Sequence, residues 1–239
     1  MVGDRADSGG MAMRDWSRHD ALYERLQAQN LHENIPVREM VGRGIELAEQ
    51  IVDWLPVGLE TVLDVGAKDG YTAELFAERR GLMVTAVDID ADCVRKCLGK
   101  GVQAHRYDMH FMQFADESFD LVYASNVVEH SVMPILCLGE LARVCKEWML
   151  IRVPAYPSWV RVVSHWAVVP PIVWLNWFSA LGLCATRCER LKYGEDAYLL
   201  KKYAHWPRLS WDEQLGVMKA IRELHDRNKF VEQLEGKRR

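Results

Sequence analysis

The chain has 239 residues, 49% apolar and 27% charged, which is enough to bury a core and ordinary for a soluble globular protein. A formal net charge of −4 leaves no broad basic face, which argues against a duplex nucleic-acid partner. The basic cluster Lys237-Arg238-Arg239 is then a solvated tail.

Residues 1–15 carry acids and glycines but no apolar h-region, so a disordered lead-in is expected rather than a secretory signal. Helical periodicity follows over 17–30 and 36–55; in the second stretch Val37, Met40, Val41, Ile45, Ala48, Val52 and Leu55 recur at steps of three and four. Pro56 and Gly58 end that helix. Strand and helix signals then alternate: strands at 62–65, 83–87, 102–106, 119–124 and 149–153, helices at 71–80, 91–98 and 133–145. Pro154 closes the last of these strands.

Strands separated by helices predict an α/β fold, Rossmann-like and doubly wound, with a mainly parallel sheet covered on both faces. Such folds bind ligands outside the carboxyl ends of their strands, where the strand order reverses. Residues 16–154 would form this core, with the N-terminal helices as a cap.

After Pro154 the pattern changes. Residues 162–186 hold no formally charged side chain and are rich in Trp and Pro. From Ser210 a capping box, Ser210-x-x-Glu213, opens a helix through Leu215, Met218, Ile221 and Leu224. Residues 155–239 are therefore expected to be a mainly helical extension. Six cysteines, two pairs of them spaced four apart, lack the C-x-x-C spacing of a zinc ribbon or redox site. They fit reduced thiols of a cytoplasmic protein.

The turn after the first strand, "LDVGAKDGY", restricts the ligand. A P-loop ends in G-K-[ST], and here the loop ends Asp69-Gly70-Tyr71. A dinucleotide fold needs a middle glycine to approach pyrophosphate, and Lys68 stands there. Asp64 and Asp69 add negative charge, which repels diphosphate and attracts an ammonium or sulfonium. Asp88, 22 residues after Gly66 at the end of the second strand, suits a ribose diol. Asp90 suits the following helix N-cap.

The ordered stretches "VLDVGAKDG", "VTAVDID", "RYDMHFMQFADESFDLVYASNVVEH" and "LARVCKEWMLIRVP" resemble the successive motifs of class I S-adenosylmethionine-dependent methyltransferases, closest to their ubiquinone-biosynthesis-like small-molecule branch. The resemblance covers residues 60–154. It implies S-adenosylmethionine as cofactor, with Asp64 and Gly66 facing the methionine end. Ala67, Lys68 and Gly70 would complete the loop. Asp88 would bind the ribose, Ile89 pack on adenine, Asp108 accept from the adenine amino group beside Met109, and Asn126 lie under the methionine portion. Lys68 departs from the family's usual glycine. The family's antiparallel sixth and seventh strands have no evident counterpart, so a sheet lacking some C-terminal strands is expected.

Methyl displacement from a sulfonium needs alignment, and a base only where the acceptor loses a proton. Glu129 and His130, after the fourth strand, are the candidate catalytic pair, with His110 as a further base. The Trp-rich segment 159–186 admits three readings: a lid or homodimer contact over an apolar pocket, a peripheral membrane contact, or a bilayer span. Pro170-Pro171 argues against the span. An apolar small-molecule acceptor fits the first two. The rival class is a methyltransferase-like binding protein without turnover.

Overall fold

The computed structural model describes residues 37–160, 162 and 164–203. The expected helices over 17–30 and from Ser210, the lead-in and the basic tail lie outside these residues.

Helix α1 (Val37–Val52) comes first, followed by β1 (Thr61–Val65), α2 (Tyr71–Arg80), β2 (Met83–Asp88), α3 (Ala91–Gly99) and β3 (Gln103–Arg106). Strand β4 (Phe119–Ser125), a 3-10 turn at Val128–His130, α4 (Pro134–Val144) and β5 (Cys145–Pro154) follow. Helix α5 (Pro171–Ala180) and strands β6 (Leu183–Leu191) and β7 (Glu195–Lys202) complete the fold.

Local chemistry sets several of these boundaries. Helix α2 is bracketed by Gly70 (φ 72°) and Gly81 (φ 66°), and Gly81 N–H closes on the Ala77 carbonyl at 2.9 Å. Asp90 caps α3 by accepting the Asp92 N–H at 2.7 Å, as the sequence suggests. Pro134 occupies the first turn of α4, where its missing N–H costs nothing. Arg80, at the end of α2, donates to the carbonyls of Val52, Leu55 and Pro56, satisfying the open end of α1.

The seven strands form one sheet in the order β3-β2-β1-β4-β5-β7-β6. Strands β1 to β5 pair in parallel, and β1 lies between β2 and β4, so the strand order reverses beside β1. The α/β doubly wound reading holds. The expectation of a shortened sheet does not: β7 pairs antiparallel with β5, and β6 with β7. Residues 183–202 are thus two strands rather than helix. Cys184 and Cys188 accordingly sit on a strand, while Cys93 and Cys97 share α3.

The period-2 alternation of the strands divides the core. Val62, Leu121, Leu150 and Leu199 face α1 and α2, where Leu47, Ile51 and Phe76 cover them. Leu63, Val122, Met149 and Leu200 face α4 and α5, where Leu138, Leu141, Trp174 and Phe178 cover them. Each such side chain contributes about 1.5–3 kcal/mol by leaving water. Truncating Leu138 to Ala would cost about 2–5 kcal/mol.

The uncharged Trp-rich run owes its composition largely to this packing. Trp174 and Phe178 on α5 are buried, and Phe178 meets Tyr198 of β7 edge to face at 5.3 Å. Among the described residues no helix is long and apolar enough to cross a membrane.

Candidate active site

The carboxyl ends of β1, β2, β4 and β5, together with the start of antiparallel β7, converge at the switch point. Strand β1 delivers Asp64 and then turns. Gly66 N–H and Ala67 N–H both donate to the Val87 carbonyl, at 2.8 and 3.2 Å, which folds the turn back over β2. Gly66 has φ 72°, and a Cβ there would lie 2.6 Å from Val127 Cγ2, so no larger residue fits. Lys68 stands where the resembled family carries glycine, yet its φ is 50°, the left-handed conformation glycine would supply. Lysine holds this conformation at a local strain of about 1 kcal/mol.

Asp88 faces this turn. Its Oδ2 accepts the Lys68 N–H and its Oδ1 the Asp90 N–H, both at 2.9 Å. Each carboxylate oxygen has a second lone pair, enough for the two hydroxyls of a ribose. Burial pushes the Asp88 carboxyl above the usual range, and the N–H groups of Asp90 and Lys68 pull it back.

Asp64 is only 2% exposed, and its Oδ2 meets no donor. Burial, then the neighbouring Asp88 charge, push its carboxyl up to about 7, against a weaker pull from Arg152. A buried acid without a partner is costly unless a cation or a proton neutralises it.

Beyond β4, Asn126 takes φ 50° and donates from Nδ2 to Glu195 Oε1 at 2.9 Å. Glu195 Oε2 in turn accepts Arg152 Nε at 2.9 Å. Arg152 and Glu195 are both buried, and the Asn126 Oδ1 and an Arg152 terminal nitrogen meet no partner. Glu129 is fully buried in the 3-10 turn, and neither of its carboxylate oxygens meets a donor. Burial, and more weakly the Glu195 charge, raise its carboxyl to about 8, opposed by its own backbone N–H, then by Arg152 and Lys68. Asp64, Asn126, Glu129 and Arg152 thus each hold a buried polar atom without a partner at this end of the sheet.

The remaining sequence-named residues lie in the segments that follow β2 and β3. The Tyr107 N–H donates to the Asp88 carbonyl at 3.2 Å, and Arg106 Nε to the Ile89 carbonyl at 2.8 Å, so Ile89, Asp108 and Met109 follow directly. Asp108 Oδ1 accepts the His110 N–H at 2.9 Å and lies 2.6 Å from His110 Nδ1. His110 Nε2 is 2.6 Å from Ser131 Oγ, which locks that ring between two elements. A hollow of about 750 Å³, lined mainly by Phe111, Met133, Ile135, Leu136 and Trp177, lies on the outer side of α4. It includes no residue of the glycine turn.

Arg152 and Glu195 are the functional candidates that sequence reasoning missed. The available signal was an arginine inside the apolar run "MLIRVP" of a central strand. A buried guanidinium requires a partner, here Glu195 in a segment expected to be helical.

The family model for MetW, methionine biosynthesis protein MetW, matches residues 44–184. An uncharacterized methyltransferase of Mycobacterium sp. (strain JLS) is 29% identical over 168 residues, 68% of this chain and 58% of that protein. The chain thus spans less than two thirds of that relative's length. Among solved structures, a chain of the complex between the Haloferax volcanii Trm112 methyltransferase activator and a methyltransferase superposes with a TM-score of 0.63. That match is 15% identical and covers 78% of this chain and 96% of the other. Magnesium protoporphyrin IX methyltransferase from Synechocystis PCC 6803, with bound SAH, superposes with a TM-score of 0.59 at 15% identity, covering 80% and 98%. The fold is that of these methyltransferases.

Proposed function

This chain belongs to the MetW family, and from that membership and its fold we propose that it is an S-adenosylmethionine-dependent methyltransferase acting on a small-molecule acceptor. The observation that carries the reading is Asp64: a buried, unpartnered carboxyl beneath the glycine turn, beside a second acid at the end of β2. The residues fit a cationic nucleoside and disfavour a diphosphate.

In this reading Asp88 holds the ribose hydroxyls while its bonds to Lys68 and Asp90 keep it aimed. Asp64 and Asn126 receive the ammonium end, and the amides of Ala67, Lys68 and Gly70 receive the carboxylate. Ile89 and Met109 flank the adenine, with Asp108 at its amino group. When bound, the cofactor supplies a methyl group on a positively charged sulfur. The protein's part is to exclude water and align the acceptor, which is worth several kcal/mol. The Glu129-His130 pair, at the end of β4, deals with the acceptor's proton. An apolar acceptor, and a contact through 159–186 with a membrane or a second copy, are supported only by that segment's composition and by exposed Trp166 and Ile172.

Calorimetric titration with S-adenosylmethionine and its demethylated product tests the reading. Saturable one-to-one binding of both is expected, weakened in Asp64→Asn and Asp88→Ala. Absence of binding by either compound would remove it.

A further inference from the structure

We infer that Glu129, His130 and His165 form a binding site for a divalent first-row transition-metal ion at the open end of β4. Each of the three offers one ligand atom, and these atoms lie within 4.8 Å of one another. Their meeting is not a consequence of sequence proximity for His165, which comes from the connection between β5 and α5. The Glu129 carbonyl accepts the N–H groups of Trp166 at 2.7 Å and Ala167 at 3.1 Å. Those two bonds hold the residue before them, His165, beside the Glu129-His130 turn.

The imidazoles are arranged for the task. His130 Nδ1 lies 3.0 Å from the Ser164 carbonyl oxygen. A carbonyl only accepts, so Nδ1 carries the proton, and in the neutral form the ring's lone pair is at Nε2. Ligating histidines are commonly oriented through such a bond on the other ring nitrogen. The His130 and His165 rings meet edge to face, 4.9 Å between centroids at 74°. A metal ion bonds imidazole nitrogen and carboxylate oxygen at about 2.0–2.2 Å, so small side-chain rotations bring three atoms already this close onto one ion.

Glu129 is the independent observation. It is fully buried, and both its carboxylate oxygens lack a hydrogen-bond partner. A carboxyl in that state is resolved by a cation or by staying protonated. Arg152, the cation whose charge acts most on Glu129, is already held by Glu195 at 2.9 Å. Lys68 also contributes to the field at Glu129, more weakly than Glu195 and Arg152.

Two imidazoles and one carboxylate select manganese, iron, cobalt or zinc over calcium, and leave coordination positions open. Those positions suit water or an oxygen atom of the acceptor. The substrate clause rests on the methyltransferase reading; the ion site does not. It narrows the acceptor to a compound with an ionisable oxygen, whose pKa a bound ion lowers. Glu129 and His130 would then act on the acceptor's proton by holding the ion.

The test uses the full chain, stripped with a chelator and titrated calorimetrically with Mn²⁺ and, separately, Zn²⁺. One ion per chain is expected, with affinity reduced about 10–100-fold or more in His165→Gln and in Glu129→Gln, and unchanged in His105→Asn on β3. Thermal melts of each variant confirm folding, and His165→Gln keeps the test decisive if Glu129→Gln is unstable. Failure of both ions to bind stoichiometrically, or equal affinity in wild type, His165→Gln and Glu129→Gln, overturns the site. Titration with the demethylated cofactor is run in parallel: loss of that binding alone strikes the methyltransferase reading and leaves the ion site standing.

Discussion

The Asp88 carboxylate accepts the backbone N–H of Lys68 at 2.9 Å, so the end of β2 holds the turn that follows β1. One acid thus fixes the loop and, on the proposed reading, would also hold the ribose. Asp88→Ala removes both. Affinity for S-adenosylmethionine is expected to fall at least about tenfold, or about 1.4 kcal/mol. Calorimetry that finds wild-type affinity in this variant would take Asp88 out of the site.

Lys68 provides a test of backbone conformation separate from side-chain chemistry. Its φ of 50° suits glycine and strains a β-branched residue. Lys68→Gly is therefore expected to fold with unchanged or slightly higher stability and to keep cofactor affinity within about threefold. Lys68→Val should lose about 1–2 kcal/mol. Urea unfolding of the pair decides, and the prediction fails if glycine is the worse of the two.

Asp64 should make both stability and binding depend on pH. Its carboxyl sits at about 7 in the folded chain against about 3.9 unfolded. Between those values the folded state holds a proton that the unfolded state has released. Stability therefore falls as pH rises through that window, and the full cost, about 4 kcal/mol, is present above it. Asp64→Asn should remove this component, so its stability relative to wild type increases from pH 5 to pH 8. A cationic ligand favours the ionised acid. Cofactor affinity in the wild type should rise as pH approaches 7 and level off beyond it, with a shallower profile in Asp64→Asn. Parallel profiles in the two proteins would show that Asp64 does not titrate as described.

The Arg152–Glu195 pair, joined at 2.9 Å, is buried on both sides. Removing one member strands the other. Glu195→Ala should cost about 3–5 kcal/mol, whereas Arg152→Met with Glu195→Ala together should cost less than the sum of the two singles. Thermal unfolding of the four proteins measures the coupling, and strict additivity would mean the pair is not one unit.

Much of this was legible in the sequence for a simple reason. Strands β1, β2, β4 and β5 are short apolar runs, helices separate most of the strands, and the candidate acids sit at the strand ends. Those signals are local. The β6–β7 hairpin was not legible because its cues are tertiary. Its connection places Tyr193 at φ 66° and Gly194 at φ 75°, the left-handed pair of a tight hairpin turn, without the Asn-Gly or Asp-Gly that usually announces one. Strand β7 opens with Glu195 and Asp196, which look solvent-facing but are buried against Arg152 and Arg190. The meeting of His165 with Glu129 was equally hidden, since it depends on backbone bonds from the connection after β5.

Glu195 is bonded to Asn126 and Arg152 from the strand that comes last in the described fold. A nascent chain that has emerged only as far as β5 already carries the glycine turn, Asp64, Asp88 and Asp108, and its Asn126 N–H can meet the Arg152 carbonyl, yet the side chains of Asn126 and Arg152 still lack Glu195. On the proposed reading, a fragment ending before residue 195 would fold in part without the acid that orients Asn126 and Arg152, so ligand recognition during synthesis would wait for β7 to clear the ribosome.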